Sequence, residues 1–275
     1  MIRLLKIEFK KILAYKTFWI ILGLYFLFLA LGIMVAEFMI NSMVSNVNEH
    51  SPIPLPKAVL YTFPDIWQNI AFFASIRFVL IFPAILIIIL ITNEFANKTI
   101  RQNVINGMSK TEFLVSKFQI IVLLSVVITV VLAIVTLILG LVHSDLSNGG
   151  IFRKFVFMPA FFVQIFSFLC YAFFFGFLIR NTGLSLALFM LYATIIEPII
   201  YALLRAPFTF ENKIYTYLPV NSVVRIAEYP VLPKLMGILN FQLQSSVSLL
   251  AVVIPLIYSA VLLAIVYWVV QRKDL

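Results

Sequence analysis

The chain has 275 residues, 63% of them hydrophobic and 11% charged, with a mean hydropathy of +1.11. Soluble domains are about 45–50% apolar and about 25% charged, and the apolar residues here gather in long uninterrupted runs. A soluble enzyme, a nucleic-acid-binding domain and a disordered tail are therefore excluded, and the formal charge of +9 belongs to a membrane protein.

At the start of the chain, Ile2, Leu5, Phe9, Ile12 and Leu13 recur at three- and four-residue spacing, with Arg3, Lys6, Lys10 and Lys11 on the other side. A basic amphipathic helix ahead of a span lies in the headgroup layer; the plainer reading is that these cations only orient the first span, and the two are compatible. Six apolar segments then approach or exceed the roughly 20 residues needed to cross a bilayer as helix. They are residues 17–36, 70–92, 119–142, 155–179, 184–204 and 247–270. They are too continuous for a β-barrel, and lipid leaves the backbone no partners but its own, so they are expected as helices. The first run is too long for a cleavable signal, and Glu37 follows it where a small-residue cleavage site would stand.

Orientation follows from Lys and Arg. With the N-terminus inside, the cytoplasmic segments hold 12 of the 20 cations against four carboxylates, and the remainder of the chain holds eight cations and seven acids. Both termini are then cytoplasmic. Trp19 and Trp268 fall near the inner interface as belt residues.

The first outer loop, 41–69, carries Pro52, Pro54, Pro56 and Pro64, which argue against a continuous helix. The inner loop 93–117 is the most informative stretch. Asn97–Lys98–Thr99 read as a cap, Ile100, Val104 and Ile105 as a short helix along the inner surface, and Gly107 as its C-terminus, where φ > 0 is tolerated. Ser109 with Glu112 three residues on is a capping box for the next helix. The second inner connection, Arg180–Gly183, is minimal, so only the first has room to grip a partner. The last outer segment, 205–246, has apolar pieces (214–224 and 231–241) broken by Pro219, Pro230 and Pro233. It reads as short helices dipping into the outer leaflet, with an external mini-domain as the alternative.

Two charges fall inside spans. Glu197, followed by Pro198, and Arg77 each lie about seven residues, roughly 10 Å, below the outer ends of their spans. A carboxylate there is costly and marks a functional site by default. Three readings stand in order: a structural ion pair or kinked outer end, a gate or substrate contact, and proton coupling. Pro83 and Pro198 are candidate kinks, and Pro159 falls in a first turn where proline is tolerated. The aromatic run from Phe161 to Phe177 covers all faces of its helix and reads as packing. Cys170 is a lone core residue, and His50 and His143 have no metal-ligand spacing around them. No paired-acid or Ser-His-Asp constellation marks an enzyme.

Six spans, an amphipathic basic start and one long inner loop together resemble the permease subunits of type-2 ATP-binding-cassette exporters. In that loop Glu94, Thr99, Arg101, Gly107, Ser109, Lys110 and Lys117 are similar to the family's run of an acid, a Gly-Thr pair with a following base, a Ser-basic step and a Lys before the third span. The ending Gln271–Leu275 is similar to the family's basic-Asp-aliphatic C-terminus. Lys98 stands where the family commonly has Gly, and Asn106–Gly107–Met108 replaces a step that commonly contains Pro. The resemblance implies one all-α transmembrane domain whose helix at 97–107 couples to a separate cytoplasmic ATPase through Glu94, Lys98, Thr99, Arg101, Gly107, Ser109 and Lys110. It also implies a second permease chain, as a homodimer or with a sister permease, and export as the direction. The chain has no G-x-x-x-x-G-K-[ST] phosphate loop, so ATP and Mg are expected in the partner and no cofactor in this chain. An ion-coupled secondary transporter is the alternative; it would show matched broken spans, and Glu197–Pro198 and Arg77–Pro83 are the only hints of them.

Overall fold

A computed structural model describes residues 13–50, 61, 63–99, 102, 105, 107–144, 150–205, 214–227 and 246–272. Among them all regular structure is helical, and six helices are long and apolar enough to cross a membrane. The first twelve residues of the expected headgroup-layer helix (1–16) and the apolar piece 231–241 lie outside the described residues.

Helix α1 (Lys16–His50) buries a single stripe, Phe18, Ile21, Tyr25, Leu29 and Ile33, at three- and four-residue steps. It packs on α3 (Arg77–Ala96), where Phe28 stacks on Phe82 at 4.8 Å. The expectation of a loop from residue 41 needs correction, because α1 continues to His50. No proline occurs before Pro52, and a helix end reaching into water tolerates polar residues such as Asn41, Ser42 and Ser45.

The second apolar run is not one helix either. A short, almost wholly buried helix, α2 (Ile66–Ala74), stops at Ser75, Ile76 is extended (ψ 129°), and α3 begins at Arg77. Helix α2 is bolted across the end of the bundle opposite the 97–109 loop. Trp67 Nε1 donates to the Ile151 carbonyl at 2.6 Å, and Lys154 Nζ reaches Asp65 and Gln68, both at 2.8 Å. Burial, with Arg153 next to it, holds the Lys154 ammonium below the ordinary lysine range. Tyr61 donates to Glu37 at 2.8 Å; burial first, then that hydrogen bond, push the phenol above its ordinary range.

Helix α4 (Lys110–His143) starts on the expected capping box, nine residues before the apolar run itself. Helix α5 (Phe157–Ile179) is the hub and touches α2, α3, α4 and α9 (Leu249–Arg272). Most of its aromatic run is buried, as packing requires, and so is Cys170. Gly176 lets it lie close to α3, since a Cβ there would meet the Ile88 backbone at 3.4 Å. The chain then turns at Arg180 (φ +58°), and Asn181 caps α6 (Thr182–Leu191) by accepting from Leu184 N–H at 3.1 Å.

The fifth long helix is α6, a π turn (Tyr192–Ile196) and α7 (Glu197–Arg205). Between it and α9, a 3-10 turn (Ile214–Tyr217) leads into the short α8 (Pro219–Val224). That pair agrees with the expectation of short helices in this stretch. Its backbone is held by side chains from two long helices: Gln164 Nε2 donates to Val223 O (3.0 Å), Tyr171 to Pro219 O (3.3 Å) and Tyr258 to Tyr217 O (3.0 Å). Irregular backbone at membrane depth is tolerated where protein surrounds it in this way.

Candidate functional site

Two clusters bring together the residues singled out from sequence, one at each end of the bundle.

At the loop end, Glu94 closes α3 and Lys117 lies two turns into α4. Lys117 Nζ donates to Glu94 Oε1 at 2.6 Å, with 3% and 4% of the two side chains exposed. A buried charge pair of this kind stands only when desolvation is met by tight geometry. Lys117 also lies 5.3 Å from the centroid of the Phe113 ring. Thr99 Oγ1 donates back to the Glu94 carbonyl at 3.2 Å. On the other root of the loop, Glu112 N–H donates to Ser109 Oγ (3.1 Å) and Ser109 N–H to Glu112 Oε2 (2.9 Å). The loop therefore leaves the bundle from two fixed roots 23 residues apart in sequence.

Between those roots, Lys98 has φ +53°, Gln102 N–H donates to the Lys98 carbonyl at 3.2 Å, and Gly107 has φ +91°. Thr99, Gln102 and Ile105 are helical, and Ile105 is 77% exposed. Arg101, with Ile100, Asn103, Val104 and Asn106, lies outside the described residues. Lys98 and Ser109 are exposed and Lys110 half-exposed. Lys117 was legible as the basic residue before the third span; its partner is set by the packing of α3 and α4 against the common hub α5.

The loop end is also laced to its neighbours. Thr92 Oγ1 donates to the Ile88 carbonyl (2.8 Å), so Thr182 Oγ1 donates to Thr92 at 2.7 Å. The Arg180 guanidinium sits 4.9 Å over the Phe95 ring, and Gln271 Nε2 donates to Thr111 Oγ1 at 3.2 Å. The ends of α3, α4, α6 and α9 are thus tied side chain to side chain.

At the opposite end, Arg77 and Glu197 each take backbone partners. Glu197 N–H donates to Tyr192 O, five residues back, instead of Ala193 O. Pro198 has no N–H, so neither residue serves the Ala193 carbonyl. Arg77 Nη1 fills that place at 3.0 Å. The Glu197 carboxylate, 1% exposed, accepts from Val220 N–H (3.0 Å) and Asn221 N–H (2.5 Å), the first backbone donors of α8. The π turn and α8 are thus the direct partners of Arg77 and Glu197. The proline after Glu197 was the sequence signal for this arrangement, although it does not say which carbonyl goes unserved.

The described residues contain no group of three or more His, Cys, Asp or Glu able to hold a metal ion. A protein-family model described as ABC-2 family transporter protein matches residues 4–196, which takes in the inner loop, Arg77 and the π turn and ends one residue before Glu197. No curated protein matches the chain. With a family match over more than half its length and six membrane-length helices, the chain belongs to the ABC-2 transporter family and is a multi-pass permease.

Proposed function

We propose that this permease is an exporter subunit that works in the cell membrane with both termini cytoplasmic. It lines its path together with a second permease chain and is driven by a separate cytoplasmic ATPase that binds the ATP and Mg. The 97–107 segment is the coupling element. In this reading Lys98, Arg101 and Lys110 present cations to the ATPase, and Thr99, Gly107 and Ser109 shape the two ends of the segment.

The observation that carries this reading is the buried Glu94–Lys117 pair. A connection that merely crossed the inner surface would need no such clamp. A segment that receives a push needs fixed roots, or the displacement is lost in fraying of α3 and α4. The exposed Ile105 between those roots supports docking in a groove of the partner.

Co-purification tests it. The ATPase is expected to accompany the wild-type chain and to be lost when residues 98–106 are scrambled. Transport by the chain alone in liposomes without nucleotide would overturn the proposal in favour of a secondary transporter.

A further inference from the structure

Near the end of the bundle opposite the loop, two arginines converge on one tyrosine. Arg205 closes α7 and Arg225 follows α8. Arg205 Nη1 and Arg225 Nη2 each donate to Tyr201 Oη at 3.4 Å, and the two guanidinium groups lie 5.9 Å and 5.6 Å from the Tyr201 ring centroid. The two nitrogens share one oxygen and are therefore less than about 7 Å apart, a gap that one tetrahedral anion bridges with bonds of about 2.9 Å to each side.

Like charges repel at this range, and neither arginine has a carboxylate partner among the described residues. Glu197, on the same helix, is engaged by the α8 N–H groups. Each guanidinium offers five N–H donors, and only one long bond from each is used within this cluster. Arg205 is exposed and Arg225 half-buried, so the free edges are reachable. The position fits a headgroup. The Thr182–Arg205 helix has 24 residues, roughly 36 Å, its apolar surface is mostly uncovered, and Tyr215 and Tyr217 accompany Tyr201 as an interfacial belt does.

We propose that Arg205 and Arg225, set on either side of Tyr201, form a phosphate site that bridges α7 and α8. The phosphate belongs to a lipid headgroup or to a soluble phosphate; guanidinium forks recognise both by the same bidentate chemistry. A bound phosphate would pin the end of the fifth helix to the segment that Glu197 already holds.

The test uses the full chain in detergent. Native mass spectrometry counts phosphatidylglycerol retained per chain for wild type, Arg205→Gln/Arg225→Gln and, as a control for charge loss elsewhere, Arg153→Gln. Thermal unfolding with added inorganic phosphate tests the soluble source. The double variant is expected to bind phosphatidylglycerol at least tenfold more weakly than wild type, with Arg153→Gln unchanged. A phosphate-dependent rise in unfolding temperature that the double variant lacks would identify soluble phosphate, and lipid retention without that rise would identify the headgroup. If the glutamine pair does not fold, Arg205→Lys/Arg225→Lys keeps the charge but loses the forks, and it is expected to bind several-fold more weakly. Equal binding by wild type and either double variant, or binding of neither probe by wild type, overturns the site.

Discussion

Lys98 occupies a left-handed backbone conformation (φ +53°) at the position where the family commonly carries glycine. Any side chain there costs about 1 kcal/mol or more relative to glycine, and in the proposed coupling the lysine contributes its ammonium. Lys98→Gly is expected to leave stability unchanged or raise it by up to about 1 kcal/mol while weakening ATPase co-purification; thermal unfolding and pull-down read the two effects separately. The Glu94–Lys117 pair behaves in the opposite way. Either Glu94→Gln or Lys117→Met strands a buried charge and is expected to cost about 3–5 kcal/mol, with the double variant recovering much of it, as a double-mutant cycle of detergent unfolding would show. Glu94 was legible as the acid that opens the loop. Its partner was not, because hydrophobic patterning places Lys117 at a helix border and says nothing of which neighbour faces it.

The fifth long helix shows how one residue type reshapes an element. Hydropathy made the 184–204 span legible, and Pro198 marked a disturbance in it. The outcome is a π turn instead of a kink of unspecified direction, because Arg77 arrives from another helix to serve the Ala193 carbonyl. Inserting one alanine between Ile196 and Glu197 is expected to rotate α7 by about 100°, swinging Glu197 off α8. Glu197→Gln is the milder version: an amide accepts through one oxygen only, leaving one α8 N–H without its partner at a cost of about 1–3 kcal/mol. In both variants a cysteine placed at the buried Val223 is expected to become reactive to maleimide, whereas it stays protected in the parent. The break between α2 and α3 was likewise illegible. An apolar run reads as one helix, whereas the burial of α2 and the contacts of Trp67, Asp65 and Gln68 with the 151–154 turn fix it across the bundle.

For the molecule as a whole, the six-helix layout was legible because lipid dictates length and apolarity, and α4 began where its capping box said it would. What could not be read was the lacing of the loop end, since hydroxyl and ring contacts between separate helices leave no periodic trace. That lacing carries a prediction. Thr182→Val removes the bridge to Thr92, is expected to cost only about 1 kcal/mol of stability, and is expected to reduce transport-coupled ATP hydrolysis in the assembled transporter, measured in proteoliposomes. Cys170 has a different consequence. The chain's one thiol is walled in on every side of α5, so the native polypeptide is dark to water-soluble sulfhydryl dyes. A single surface cysteine can therefore report sidedness and motion against a silent background without first rewriting the protein.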